Sequence, residues 1–206
     1  SSWIAMMVAG GFPIIVLILS TALGSLFFPY LWGHLQPYQQ SRILTFINPS
    51  IDPQGAGYNA LQAMIAVGSG QLFGKGLGMG TQSHMRFLPE FHTDFIFATL
   101  IEELGFIGGL VIFGLYATFL WRMLLPYIRG FQAQTFGFLY TIGFFTMVLS
   151  QIVINTGMNM GIIPVTGITL PFVSYGGSSL LGICLGFGIL LAIRKQAASD
   201  ERIAIA

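Results

Sequence analysis

The stretch Leu104–Trp121, LGFIGGLVIFGLYATFLW, decides the fold. It carries no charged side chain over a length at which an apolar run becomes a candidate to cross a bilayer, since a helix rises about 1.5 Å per residue against a hydrocarbon core of about 30 Å. Working outward, the same pattern recurs. The spacing predicts spans over about 3–28, with Pro13 as a tolerated kink, 95–121, 136–154 and 179–193, the last one short and expected to start inside the preceding loop. Of the 206 residues, 54% are hydrophobic and 7% charged, and the mean hydropathy is +0.79. An average soluble domain has about 25% charged residues, so a soluble fold is excluded. The fold class is all-α integral membrane, a polytopic helical bundle forming one membrane domain over residues 1–206.

The net charge is +1 and the basic residues lie scattered, which excludes the clustered patch that nucleic acid binding needs. Cys184 is the single cysteine, so an internal disulfide, a zinc cluster and a CxxC redox pair are excluded as well. The chain opens Ser1-Ser2-Trp3 without a basic region before its first apolar run, which reads as a fragment of a longer protein rather than as a signal peptide.

Charge also sets the orientation. Arg122 and Arg129 follow the second span, Arg194 and Lys195 follow the fourth, and no charge lies between the third and fourth. Basic short connections stay in the cytoplasm, which places a large structured loop, about 29–93, and an uncharged loop, about 155–178, on the outer face. Within the first of these, Ala60–Val67 reads as a short helix, and Tyr38–Gln40 as a polar turn before the amphiphilic run Ile43–Ile47. Six glycines between Gly68 and Gly80 then suit either an anion nest or a flexible loop on the membrane surface. Lys75 among them is expected to be mobile. It is not a P-loop lysine, because Gly76 stands where that motif requires Ser or Thr.

Chemistry concentrates in RFLPEFHTDFIFATLIEE, Arg86–Glu103, which holds four of the seven acids. Asp94 falls at the outer mouth of the second span. Glu102 lies about 12 Å deeper at the helical rise and about 80° round the helix, so it is expected to share a cavity with Asp94, while Glu103 faces elsewhere. Acids at membrane depth face protein or water-filled cavities, which makes this stretch a candidate site. From spacing alone Asp94 reads as a helix N-cap, as a catalytic carboxylate, or as a partner of Arg86 or Lys75. His84 and His92 lack zinc-ligand spacing, GxSxG does not occur, and a loosely held divalent cation, Mg2+ or Mn2+, is compatible with Asp94. The second dense stretch, NTGMNMGIIPVTGITLPFVSYGGSS over Asn155–Ser179, has two prolines and five glycines and cannot form one regular helix. Its backbone N–H groups and the hydroxyls of Ser174, Ser178 and Ser179 suit a sugar or pyrophosphate, and a purely structural break is equally compatible.

These two stretches, preceded by Tyr38–Ile43, resemble the SEDS family of bacterial cell-wall proteins, which includes RodA, FtsW and SpoVE. The resemblance rests on Gly80-Thr81-Gln82-Ser83, Phe87–Glu90, His92–Phe97, Glu102–Gly105, Asn155–Gly161, Pro164, Gly167 and Pro171–Ser179. Asp52–Asn59 and the GTQS run look more like the elongation branch, RodA, than the division branch. The resemblance implies about ten helices, of which this chain carries roughly the last four. It also implies a multi-pass glycosyltransferase of the bacterial cytoplasmic membrane that polymerises lipid II on the outer face, working with a class B penicillin-binding protein, the elongation machinery and membrane lipids. The essential aspartate of the family falls on Asp94, and Gln82 joins the candidate substrate-binding set.

The expected reaction is a single displacement with inversion, in which Asp94 takes the acceptor proton and positive charge meets the departing pyrophosphate. Arg42, Lys75 and Arg86 are the basic side chains expected on that face. The competing class is a lipid II flippase, which would use broken helices such as that around Pro164 and Pro171.

Overall fold

In lipid every backbone N–H and C=O must find a partner within the protein, so uncharged runs of this length cross as helices. A computed structural model of the chain describes residues 2–11, 15, 18–19, 23, 28–48, 55–81, 92–128 and 135–205, and no strand occurs among them. The helices are α1 (Ser2–Ala9), α2 (Phe28–His34), α3 (Pro37–Ile47), α4 (Ala56–Ser69), α5 (Ile96–Ile128), α6 (Thr135–Asn159) and α7 (Gly177–Ile205). Among the described residues three stretches are long and apolar enough to span a membrane: Ile96–Ile128, Thr135–Asn159 and Gly177–Gln196. They contain or overlap the runs expected at 95–121, 136–154 and 179–193. The run expected at 3–28 lies mostly outside the described residues.

The chain packs as two compact units. One comprises Ser1–Leu23, Tyr116–Ser150 and Gly177–Ala206. Its helices use small residues and buried hydroxyls, as helices do where lipid gives no hydrophobic drive for association. Tyr140 Oη donates to Gly186 O at 2.9 Å, and Tyr127 Oη donates to Gly137 O at 3.0 Å while sharing a hydrogen bond with Thr141 Oγ1 at 2.7 Å. Arg194 donates to the Met123 carbonyl and lies 5.9 Å from the Tyr127 ring centroid, so this cation satisfies a carbonyl late in α5.

The other unit comprises Gly24–Leu115 and Gln151–Gly176. Pro37 occupies the first turn of α3, where its missing N–H costs nothing. Gln39 Oε1 accepts from the Gln36 amide at 3.0 Å there. The expected polar turn at Tyr38–Gln40 is therefore helical, and Arg42 sits in mid-helix. The short helix expected at Ala60–Val67 extends over Ala56–Ser69, and its Ala63 and Ala66 pack with Phe95 and Ala98 in a buried cluster.

The expected uninterrupted helix from Asp94 is broken. Gly105 has φ +70° and ψ −170°, which splits α5 into a short outer piece and a longer piece, 106–128. The second piece alone covers about 34 Å at the helical rise, enough to span. The break is filled by the glycine loop. Lys75 N and Gly76 N donate to the carbonyls of Glu102 and Glu103 at 2.9 and 3.0 Å, and Phe106 N and Ile107 N donate to the carbonyls of Gln71 and Leu72 at 2.8 and 3.2 Å. Backbone groups released by the kink are thus satisfied by another strip of backbone. That corrects the expectation of a loose surface segment for residues 70–76, which are docked on α5. Gly70 and Gly74 allow two main chains to approach, since a Cβ on either would overlap the carbonyl of Ile101 or Glu103, and a Cβ on Gly105 would overlap Leu72 O and Gly74 N.

Gly105→Ala should therefore lower the thermal midpoint of the full-length protein in detergent by several degrees, through positive-φ strain of about 1–2 kcal/mol and loss of the docked loop. Gly114→Ala, with open space where its Cβ would stand, should leave the midpoint unchanged or slightly raised. Equal midpoints for the two variants would refute the docking.

Candidate active site

Asp94 lies in the turn just before α5, and the backbone of this turn is held from outside. His92 O accepts from Tyr175 N at 2.9 Å, Thr93 O accepts from Ser174 Oγ at 2.6 Å, and Asp94 O accepts from Asn155 Nδ2 at 2.9 Å and Asn159 Nδ2 at 3.1 Å. Every donor comes from the end of α6 or from the irregular segment after it. Asn155 and Asn159 stand four residues apart on one face of α6, both fully buried. The Asn155 amide also donates to Ile168 O at 2.7 Å, and Asn159 Oδ1 accepts from the Ala98 amide at 3.3 Å. An unsatisfied first-turn amide of α5 is thereby capped by a side chain of another helix.

This accounts for Ser174, read from the sequence as a substrate-binding hydroxyl. Its proton goes to Thr93 O, and its oxygen accepts from Leu170 N at 2.7 Å, so it locks the turn. Ser178 and Ser179 fall in the first turn of α7 and belong to the other unit. Gln82 and Arg86 lie outside the described residues.

Arg42 reaches the same place from α3. Gly167 has φ +72°, and a Cβ there would stand 3.4 Å from Asp94 Oδ2 and 3.5 Å from Arg42 Nη1. Asp94 Oδ2 and Arg42 Nη1 thus both lie beside Gly167, where the positive φ, not a lack of space, favours glycine. Arg42 is oriented by Val165 O, 3.4 Å from Nη1, and by the Tyr38 ring, whose centroid lies 5.9 Å from its Cζ. The two groups have complementary capacities, one to accept a proton and one to hold an anion through parallel N–H donors.

Glu102 and Lys75 form a separate cluster. Fully buried Glu102 receives three donors on Oε1: Lys75 Nζ at 2.8 Å, Thr81 N at 2.8 Å and Thr81 Oγ1 at 2.9 Å. Lys75 Nζ also donates to Thr81 Oγ1 at 2.8 Å. Lys75 is therefore pinned rather than mobile, and Glu102 is turned to Lys75 rather than into a cavity shared with Asp94. The phase estimate assumed that one helix begins at Asp94, whereas α5 begins at Ile96 and the glycine loop packs on its Glu102 side.

Among the described residues no group of three or more His, Cys, Asp and Glu side chains could hold a metal. Among the described residues Asp94 offers one carboxylate, fewer oxygen ligands than a resident Mg2+ or Mn2+ ion takes. The sequence alone assigned no role in the site to Asn155, Asn159 or Gly167. Two asparagines at i and i+4 in an uncharged helix end were the available signal.

A polytopic helical membrane protein that presents a carboxylate beside a guanidinium from clamped, irregular backbone is the class these features define. The family described as cell cycle protein, FtsW/RodA/SpoVE, matches residues 1–199, and the chain belongs to it. It is 48% identical over 162 residues to the peptidoglycan glycosyltransferase RodA of Treponema pallidum, covering 79% of this chain and 37% of that protein. It is 46% identical over 159 residues to the stage V sporulation protein E of Bacillus subtilis, covering 77% and 43%. A solved chain from a peptidoglycan synthase complex that coordinates polymerization and crosslinking aligns with a TM-score of 0.69 at 30% identity, over 95% of this chain and 53% of that one. The chain spans less than half the length of the two curated relatives.

Lys75→Met should destabilise the full-length protein more than Glu102→Gln. Removing the lysine leaves a buried carboxylate without its cation, while removing the carboxylate leaves a lysine that is 30% exposed and can reach water. Thermal unfolding of both single variants and the double variant measures this, and the double variant should recover part of the Lys75→Met loss. The opposite order would mean that Lys75 is not the partner on which buried Glu102 depends.

Proposed function

We propose that the protein to which this chain belongs is a peptidoglycan glycosyltransferase that polymerises lipid II on the outer face of the bacterial cytoplasmic membrane. The observation that carries the reading is the convergence of Asp94 and Arg42 at Gly167. Asp94 takes the proton of an acceptor sugar hydroxyl as that oxygen bonds to the anomeric carbon of the donor. The bond from that carbon to the lipid pyrophosphate breaks, and its electron pair leaves with the pyrophosphate, whose charge Arg42 meets. Attack and departure on opposite faces invert the anomeric centre. A pyrophosphate leaves as a stable anion and needs no second acid, which agrees with a site built around one carboxylate.

Names of the relatives support the class of reaction. The role in elongation, rather than division or sporulation, follows the RodA-like Asp52–Asn59 and GTQS runs, and the partner proposed is a class B penicillin-binding protein, as the similarity to a synthase complex suggests. The flippase reading would use the break around Pro164 and Pro171, and the further break in α5 adds little to it. Transporters leave freed backbone groups of such breaks to their cargo, whereas these are taken up by residues 71–76.

Asp94→Asn in the full-length protein should reduce glycan synthesis from lipid II in detergent by about 10²-fold or more, the scale of lost general-base catalysis. Its melting temperature should change little, because the clamp's hydrogen bonds go to backbone carbonyls that the substitution keeps. Near-normal polymerisation by this variant would refute the assignment. Glycan formation by the unmodified protein in detergent, with no bilayer to flip across, separates polymerase from flippase.

A further inference from the structure

Beside Arg42 lies a cleft of about 170 Å³ between α3, α4 and the segment 161–165. Its walls are hydrocarbon: Phe46, Leu61, Met64, Ile163 and Val165, with Ala60 and Gly57 also lining it. Phe46, Leu61 and Met64 are themselves 43%, 49% and 36% exposed, so the cleft opens outward. Two polar side chains face it. Arg42 is one, and Thr45, three residues on and hence on the same helical face, is the other. Thr45 is only 3% exposed, and its Oγ1 has no hydrogen-bond partner. A buried hydroxyl without a partner costs free energy comparable to a lost hydrogen bond, which marks the place where a polar ligand atom belongs.

A sugar does not suit this cleft, because its hydroxyls would be stripped of water against five apolar side chains with one hydroxyl and one guanidinium to meet them. An anionic head on a branched hydrocarbon chain does. The order of features along the protein also matches such a molecule: carboxylate at Asp94, guanidinium at Arg42, hydroxyl at Thr45, then hydrocarbon. We propose that this cleft binds the first, phosphate-proximal units of a polyprenyl chain, with Thr45 Oγ1 donating to a phosphate oxygen beside Arg42. This rests on the glycosyltransferase reading, and it assigns the donor's three parts in sequence: sugar at Asp94, pyrophosphate at Arg42 and Thr45, lipid in the cleft.

The test uses the full-length protein in detergent and three probes: farnesyl pyrophosphate, inorganic pyrophosphate and dioleoyl phosphatidylglycerol. Binding is measured by calorimetry, independently of glycan synthesis. Farnesyl pyrophosphate should bind at least roughly tenfold more tightly than pyrophosphate. Ala60→Phe, which fills the cleft, should abolish that advantage and leave pyrophosphate affinity unchanged. Thr45→Val should weaken both pyrophosphates several-fold, and Thr45→Ser should restore them. Equal affinity for the two pyrophosphates, a chain-dependent advantage that survives Ala60→Phe in cooperatively melting protein, or displacement of farnesyl pyrophosphate by an equal concentration of phosphatidylglycerol would each overturn the proposal. The two readings also fail separately. Normal glycan synthesis without chain-dependent binding removes the cleft alone, while chain-dependent binding without glycan synthesis upholds the cleft and removes the polymerase.

Discussion

Three consecutive carbonyls, those of His92, Thr93 and Asp94, accept hydrogen bonds from Tyr175 N, Ser174 Oγ and the side-chain amides of Asn155 and Asn159. The site depends on this clamp. A turn ahead of a helix leaves carbonyls with no intrahelical partner. Satisfying them from α6 and the segment after it fixes where the following carboxylate stands. The irregular backbone after α6 carries Ser174 and Tyr175 to this turn, and Gly167 within it lies beside both Asp94 Oδ2 and Arg42 Nη1.

The same constraint operates a few residues deeper. Once Gly105 breaks α5, four backbone groups near the break are paired with the glycine loop, and Glu102 draws Lys75 and Thr81 onto the same strip. Carboxylates that look alike in the sequence therefore serve different ends. Glu102 is fully buried, and its Oε1 takes three donors that hold the loop. Asp94 carries its backbone load through its carbonyl, and its Oδ2 lies beside Gly167, as does Arg42 Nη1.

Much of this was legible in the sequence. Charge-free runs marked the spanning helices because a charge at that depth is too costly to be scattered there at random. The same rule singled out Asp94 and Glu102, and the run of glycines and prolines after Asn155 announced irregular backbone. What could not be read was pairing. Lys75 and Glu102 are 27 residues apart and Arg42 meets Val165 across 123, and no local pattern encodes such contacts. Ser174 has the composition of a substrate-binding residue, and only its two backbone partners reveal a structural one. Gly105 within an apolar run looks like an ordinary small residue of a membrane helix, and its positive φ becomes meaningful only beside Leu72 and Gly74.

The most direct measurement is steady-state glycan synthesis by Asn155→Ala and Asn159→Ala variants of the full-length protein, with lipid II varied. Neither asparagine is placed against substrate, so loss of the clamp should leave KM for lipid II nearly unchanged. It should lower kcat by roughly tenfold or more, as misplacing a reacting group by about 1 Å can cost 10²-fold. An unaltered kcat in folded variants, or a change confined to KM, would contradict the view that these buried amides set the position of Asp94.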